Sequence, residues 1–429
     1  MNAIRRVVLN NGLVVLARPN RAARSVAINM VCEAGAAFDP GDKGGTAALT
    51  AELLERGAGD QDAAAIATFF DDLGVVFSAG ARRDSAEIEV RLLSEHLPAV
   101  LDHLRLIVAE PTFPEEEVRR QKGQMLTSLA ERDQDTAAVA DMTLHATLFP
   151  ADHPYHRPRL GTRESVERVG RSDLAAFHRR CYRPQATILA LAGDFDATEA
   201  IERAGSVFET WSAPAPSGGG VKTSERASFP DPPPPARATV VRRAIEGKTQ
   251  ADLLLGFPGL RRSSPDLPAA LVMNSVLGEF SLGGRLGTSI RERAGLAYYA
   301  HSYFIAGLGA GPFVARAGVA PSAVERAIGM MRGTVEGMVR RGATPAEMKD
   351  SRQALASALP RRMETNPEAA SVLADAEFYG LGIDYPERLP GLVRAVTRDD
   401  VARVARAYLK PGRHTLVVAG PSLPKEKTR

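Results

Sequence analysis

The chain has 429 residues, of which 44% are hydrophobic and 24% are charged, as in an ordinary globular protein. The net charge is only +3, and basic residues are interspersed with acidic ones, which argues against a nucleic-acid-binding face. No apolar run approaches the ~20 residues of a membrane span, and the N-terminal segment lacks the features of a signal peptide. These observations predict a cytoplasmic protein, or a periplasmic one if a leader has been removed, with no membrane or nucleic-acid partner.

The first half of the chain alternates short strand patterns with helical patterns. It opens with a predicted hairpin at Asn10-Asn11-Gly12, a turn sequence that tolerates positive φ. Periods of 3.6 residues, ended by glycine or begun by Pro-Glu, then predict a series of helices. The predicted strands are 5–9, 13–17, 25–33, 75–79, 86–92 and 187–192, and the predicted helices are 46–55, 60–73, 95–108, 114–133, 137–148, 172–181 and 197–211.

The segment 213–237 is rich in proline and glycine and contains four consecutive prolines, which continue neither a helix nor a central strand. After it, the order of strand and helix patterns repeats that of the first half. Related phrases also recur, such as EPTFPEEEVRRQKGQM and RGATPAEMKDSRQAL. We therefore predict an α+β fold of two homologous domains, 1–212 and 238–429, each with a mostly antiparallel sheet and helices packed on one face.

The most distinctive stretch of the second half is NSVLGEFSLGGRLGTSIRERAGLAYYAHSYF, residues 274–304. Its glycines permit positive φ or close backbone approach, and its pattern changes from helix to strand near the end. Arg291 would present a rigid fork of donors, and Tyr298 a phenol. Local pattern alone favours an ordinary connection with a solvated arginine and packed tyrosines, so a functional role needs support from the rest of the chain.

Four segments together resemble the pitrilysin/insulinase-type zinc peptidases, which include the mitochondrial processing peptidase. They are NGLVVLARPN, LFPADHPYHRPRLGTRESVERV, CYRPQATILALAGDFD and LGEFSLGGRLGTSIRERAGLAY, and the resemblance covers nearly the whole chain. It implies a half-shell of two similar α+β domains. Two such half-shells would close around a peptide substrate.

The zinc-binding sequence of active members is replaced in this chain. Those members carry H-x-x-E-H, in which the histidines bind zinc and the glutamate acts as general base. Here Ala48 and Glu52 stand at the histidine positions and Ala51 at the glutamate position. The family's third ligand would fall at Thr127 or Ser128. Because alanine offers no lone pair to a metal, the resemblance implies no metal and no other cofactor in this chain.

Other sequence features do not supply a different catalytic site. Among the eight histidines, His153 and His156 have a ligand-like spacing, but their loop offers no evident third ligand, so packing is the expected role. The sequence also lacks a G-x-S-x-G elbow, a phosphate-binding glycine loop, C-x-x-C and a dinucleotide fingerprint. A self-sufficient enzyme of another chemistry is therefore not supported.

Active assemblies of this family also need an arginine and a tyrosine from the opposite half-shell, close to the zinc. The resemblance places them on Arg291 and Tyr298, whose donors would stabilise an oxyanion or hold the peptide backbone. Tyr299 would point to the other strand face and pack.

The glycine-rich stretch 278–287 resembles the substrate-contacting loop of the non-catalytic processing-peptidase subunit. The resemblance implies peptide binding by Gly283, Gly284 and Arg285. For Arg285 a merely solvated side chain is an equal alternative.

The chain is thus expected to be the non-metal subunit of a heterodimeric zinc peptidase. Its partner would be a paralogue that carries H-x-x-E-H and zinc, and its substrate an unfolded or short peptide; without that partner, a homodimer is plausible. The alternative is a purely structural or assembly subunit, like the core proteins of respiratory complexes that share this fold. That alternative predicts loss of the Arg/Tyr pair, which is present here.

Overall fold

The computed structural model describes residues 4–212, 227–278 and 284–422. These residues form two compact units. The first takes its described residues from the ranges Met1–Leu129, Arg159–Ala227 and Pro360–Pro386, and the second from Ala130–Pro158, Ser228–Leu359 and Glu387–Arg429. Each unit thus contains one segment from the other half of the chain, an exchange that the predicted division into 1–212 and 238–429 does not include. Of the predicted linker 213–237, residues 213–226 lie outside the described ranges.

The predicted elements of the first half are found in the predicted order, and three short elements at 57–58, 61–62 and 163–167 were not predicted. The strands are β1 (Arg5–Val8), β2 (Val14–Pro19), β3 (Ser25–Cys32), β4 (Gly57–Ala58), β5 (Gln61–Asp62), β6 (Val76–Ala81), β7 (Ala86–Leu93) and β8 (Thr187–Gly193). The helices are α1 (Thr46–Glu52), α2 (Ala63–Asp72), α3 (Leu97–Ala109), α4 (Glu115–Arg132), α5 (Thr136–Leu148), α6 (Arg163–Glu167), α7 (Arg171–Cys181) and α8 (Ala197–Phe208).

The second half contributes β9 (Thr239–Ala244), β10 (Ala251–Pro258), β11 (Ala297–Phe304), β12 (Pro312–Val319) and β13 (Thr415–Gly420). Its α-helices are α9 (Leu267–Leu277), α10 (Gly284–Leu286), α11 (Val324–Arg341), α12 (Pro345–Arg362), α13 (Asn366–Phe378), α14 (Tyr385–Ala395) and α15 (Arg398–Tyr408). A π-helix, Gly287–Arg293, directly continues α10. Within the described ranges, no helix is both long and apolar enough to cross a bilayer.

The two main sheets have the same internal strand order. The first runs β1-β2-β8-β3-β7-β6, and the second runs β9-β13-β10-β12-β11 when read from its β9 edge. Within the described residues each sheet has one parallel pair, β2 with β8 in the first sheet and β9 with β13 in the second. The two pairs occupy the same place in the strand order. The α+β class and the duplicated, mostly antiparallel sheets are therefore confirmed.

Helices cover both faces of the first sheet. Alternate residues of β3, including Val26, Ile28 and Met30, join the main core with residues of α1–α4, α7 and α8. On the opposite face Ala27 contacts α13, a helix from the exchanged segment. Strands that are buried on both faces read as nearly continuous apolar runs, and β3 does so.

The second sheet is covered in the same way. Its core face packs against α9, α11 and α15, and α5 lies on the other face. The fit of α5 depends on Gly256 in β10, because a Cβ there would lie 2.4 Å from Leu144 Cδ1. Thr136, at the start of α5, donates a hydrogen bond of 2.6 Å to Asp252 of β10. One helix from the other half of the chain thus completes each sheet.

Candidate functional site

Helix α1 carries the positions of the family's zinc-binding sequence. Its N-terminus is fixed by Asp39, whose carboxylate accepts hydrogen bonds of 2.7 Å from the backbone N–H groups of Gly45 and Ala47. Ala48 and Ala51 are 2% and 0% exposed and belong to the main apolar core. These two positions therefore act as packing residues.

Glu52, at the second histidine position, is half-buried and accepts a hydrogen bond of 2.6 Å from Gln121 Nε2 of α4. Sequence reasoning did not identify Gln121. Its spacing could have indicated that it lies on the buried face of α4, because Gln121 precedes the buried Met125 by one helical turn and Leu129 by two. The pair joins α1 to α4 where an active family member would hold a metal.

The positions expected for a third ligand face solvent. Thr127 and Ser128 are both exposed, and Thr127 donates its hydroxyl to the carbonyl of Gly123. Within the described residues there is no group of three or more histidine, cysteine, aspartate or glutamate side chains arranged to bind a metal.

The two histidines of the DHPYHRP loop contact backbone groups. His153 Nδ1 accepts a hydrogen bond from the backbone N–H of Tyr155, and its Nε2 lies 2.9 Å from the carbonyl oxygen of Pro230. His156 Nδ1 lies 2.9 Å from the carbonyl oxygen of Phe149. The imidazoles thereby fix the course of the loop, as the packing interpretation expects.

The π-helix carries Arg291. Its side chain is half-buried and makes no hydrogen bond or ion pair with any residue the structure describes. π-Helical turns are rare and are often found at functional sites. The turn that leads into this helix needs glycine at 284, where φ is +80° and a Cβ would lie 2.8 Å from backbone atoms of Gly278. Gly283, predicted to bind peptide, lies outside the described residues.

Tyr298 occupies a β-bulge in β11, an edge strand of the second sheet. Ala297 lies opposite Val319 and Tyr299 opposite Gly318, so that Tyr298 is the extra residue between them. Bulges at sheet edges redirect a side chain, and Tyr298 is 81% exposed. The bulge therefore holds the phenol in solvent at the sheet edge.

Tyr299 packs, as predicted. Its ring lies over Gly318, where a Cβ would be 2.5 Å from Tyr299 Cε1. Its hydroxyl donates a short hydrogen bond to Asp252, and the Arg316 guanidinium carbon lies 5.7 Å from the ring centroid. These contacts fix the strand immediately after the bulge.

A charged network surrounds this tyrosine. Arg316 Nη1 lies 3.4 Å from Asp141, and its Nη2 lies 3.8 Å from Asp252. Burial raises the pKa of both carboxyl groups, and Arg316 opposes the rise. Burial also raises the pKa of Tyr303, whose hydroxyl donates to Asp141. The network joins α5 to β10, β11 and β12.

Arg285 is neither solvated nor free. Its Nε and Nη2 form hydrogen bonds of 2.7 and 2.8 Å with the two carboxylate oxygens of Glu347, and Nη2 also donates to the carbonyl of Gly342. Burial by itself would raise the pKa of Glu347, but hydrogen bonds from Arg285 and Thr344 lower it to about 2. Peptide binding by Arg285 remains a prediction, and in this structure its guanidinium is used within the fold.

The duplicated α+β sheets and the alanines at the metal positions fit a peptidase-like protein in which the zinc-binding sequence is replaced. The model for insulinase (peptidase family M16) matches residues 14–163, and that for the peptidase M16 inactive domain matches residues 168–355. The chain belongs to the peptidase M16 family, and its second half matches the model for the inactive domain of that family.

Individual relatives agree with this assignment. An uncharacterized zinc protease of Mycobacterium bovis is 30% identical, with 99% of this chain and 96% of the relative covered. The non-peptidase homolog YmxG of Helicobacter pylori is 22% identical, with 89% and 85% covered. The crystal structure of a peptidase M16 inactive domain from Pseudomonas fluorescens superposes with a TM-score of 0.90 at 26% identity, covering 99% of both chains.

Proposed function

We propose that this chain is the non-metal subunit of a two-chain zinc peptidase, in which it supplies Arg291 and Tyr298 to the zinc site of a partner. The observation that carries the proposal is the 81% exposure of Tyr298 on a bulge. Tyrosine usually buries its ring. An exposed phenol whose neighbours in the strand are packed is therefore suited to contact another molecule.

Arg291 and Tyr298 suit this role chemically. Attack of a metal-bound hydroxide on a peptide carbonyl places negative charge on the carbonyl oxygen, and a phenol or guanidinium donor stabilises that charge. Since the described residues contain no metal-binding group, these donors would act on a peptide held at the zinc of a partner. The partner would be an M16 chain with an intact H-x-x-E-H sequence, and the substrate would be an unfolded or short peptide.

The test is cleavage of an unstructured fluorogenic peptide by this chain, by an H-x-x-E-H-bearing M16 chain from the same organism, and by their mixture. We expect the mixture to cleave much faster than either chain. Tyr298→Phe and Arg291→Gln should each lower kcat of the mixture by about 10²–10³, as the loss of one oxyanion donor does. Arg340→Gln is the matched control, because Arg340 is a 67% exposed arginine elsewhere in the same unit.

Three outcomes would contradict the proposal. Chelator-sensitive cleavage by this chain alone would mean that a metal site exists elsewhere in it. Equal cleavage by the partner with and without this chain would support an assembly role instead. Full activity of the Tyr298→Phe mixture would remove the phenol from the mechanism.

A further inference from the structure

The second unit contains a polar cleft of about 780 Å³, a volume typical of small-molecule sites. It lies between the helical segment 284–293 and helices α11 and α12, with the end of α9 at its base. The side chains that matter for the argument come from all of these elements. They are Ser275, Thr288, Arg293, Thr334, Arg341 and Ser351.

Among the unpaired charged side chains that line the cleft, positive charge is in excess. Glu347 is paired with Arg285 in the two-point contact described above. Arg293 and Arg341 are exposed, and neither forms an ion pair with any part of the chain that the structure describes. Asp350 is the remaining acidic group of the lining. Two guanidinium groups therefore face the cleft against one unpaired carboxylate.

The side chain of Arg341 lies beside a glycine of the same helix. Its Nη2 lies 2.8 Å from the point that a Cβ on Gly337 would occupy, so the side chain lies back along the surface of α11 beside Gly337. This path brings the guanidinium into the lining of the cleft rather than away from the helix end.

The cleft also offers hydroxyl donors from its more buried part. Ser275 and Ser351 are 6% and 7% exposed, and both line the cleft. Neither hydroxyl has a side-chain hydrogen bond within the described residues. Both hydroxyls are therefore available to donate to a polar occupant of the cleft.

The π-helix determines which residues face the cleft. Thr288, Ser289 and Arg293 all line it, although Thr288 and Arg293 are five positions apart. A π-helix holds more residues per turn than an α-helix, because its hydrogen bonds span five residues instead of four. This geometry counteracts the rotation that an α-helix would accumulate, and it keeps Arg293 on the same side as the hydroxyls.

We propose that this cleft binds a small oxyanion ligand, one that carries carboxylate or phosphate groups, through Arg293 and Arg341. Guanidinium groups bind the oxygens of either group with two parallel hydrogen bonds, and hydroxyl donors complete the coordination of the remaining oxygens. The site is independent of the proposed role of Tyr298 in peptide cleavage. An experiment can therefore reject oxyanion binding by the cleft without rejecting the role of Tyr298, and the reverse.

The experiment is isothermal titration of the full-length chain with tripolyphosphate and, separately, with citrate, at constant ionic strength because exposed charges are screened by salt. At least one probe should bind saturably with one site per chain. Arg293→Gln and Arg341→Gln should each weaken binding about tenfold or more, the usual effect of losing one charge-assisted contact.

Two further variants separate site binding from general charge. Arg340→Gln removes the same charge from the next residue of α11, which does not line the cleft, and should change the affinity less than about twofold. Asp350→Asn removes the opposing carboxylate and should tighten binding.

Citrate binding alone would identify a carboxylate ligand, and tripolyphosphate binding alone a phosphate ligand. Lack of saturable binding by both probes, or equal weakening by Arg340→Gln, would overturn the proposal.

Discussion

At the scale of single residues, polar side chains at positions that correspond to functional residues of the family serve the fold. Glu52 and Arg285 are two of them: one is held by Gln121 and the other by Glu347. Both partners are far away in sequence, 69 and 62 residues respectively. The local sequence pattern therefore identified Glu52 and Arg285 but not their hydrogen-bond partners. Arg291 and Tyr298, by contrast, have no such partner in the described ranges.

Glu87 in β7 is a residue whose ionisation should affect stability. Its side chain is 9% exposed, and it forms an ion pair of 2.6 Å with the largely exposed Arg82. Burial, against the opposing effect of Arg82, raises the pKa of Glu87 to about 7. The folded protein therefore binds this proton more tightly than the unfolded chain does, and this contribution to stability is lost as pH rises towards and through 7.

We expect Glu87→Gln to reduce the fall in the free energy of unfolding between pH 5 and pH 8 by on the order of 2 kcal/mol. The measurement is urea unfolding at several pH values across this range. Glu89→Gln is the matched control, since Glu89 is an exposed residue on the same face of the same strand. Its charge contributes least among the groups that shift the pKa of Glu87, so its removal should change the pH dependence far less. A parallel pH dependence of the Glu87→Gln variant and the wild type would contradict the prediction.

At the scale of elements, the bulge in β11 depends on the small size of its neighbour. Gly318 lies opposite Tyr299, and a Cβ at 318 would be 2.5 Å from the tyrosine ring. Gly318→Ala should therefore displace Tyr299 from Asp252, change the bulge, and misplace Tyr298. We expect a loss of about 1–3 kcal/mol in stability from overpacking, together with reduced cleavage by the mixed assembly.

The measurements for Gly318→Ala are thermal unfolding and the peptide assay. Gly80→Ala is the control for stability, because Gly80 is also a strand glycine but a Cβ there would meet no atom within 4 Å. Wild-type stability of Gly318→Ala would show that the strand adjusts without strain. Wild-type activity in spite of lower stability would show that Tyr298 does not depend on the register that Tyr299 fixes.

The sequence predicted most elements and the duplication, because helix and strand periods and the repeated phrases are local signals. It did not predict the bulge at Tyr298, since the alternating pattern of 297–304 is consistent with a regular strand. The sequence also did not predict the packing partner of Leu144. The 3.6-residue period of the segment around Leu144 identifies a helix, but only the structure shows that this helix lies against Gly256, more than a hundred residues later.

At the scale of the whole molecule, each sheet is completed by a helix from the other half of the chain. The first unit includes Pro360–Pro386, which follows most of the second unit in sequence. Within it, Ala369 and Ala370 of α13 cover Ala27 and Ala192 on the first sheet, and Asn366 Nδ2 donates a hydrogen bond of 3.0 Å to the carbonyl of Ser25. A fragment that ends after the first half lacks this cover.

We therefore expect residues 1–227 to be unstable when expressed alone. An uncovered apolar sheet face favours aggregation and local unfolding. Fusing residues 358–388 to the fragment through a flexible Gly/Ser linker should restore a cooperative thermal transition and reduce binding of a hydrophobic dye. The same fusion with Ala370→Asp is the control, because a charge at the helix–sheet contact is costly to bury. If fragment 1–227 alone unfolds as cooperatively as the fusion, then α13 is not needed to complete the first sheet, and the first half of the chain is an independent folding unit.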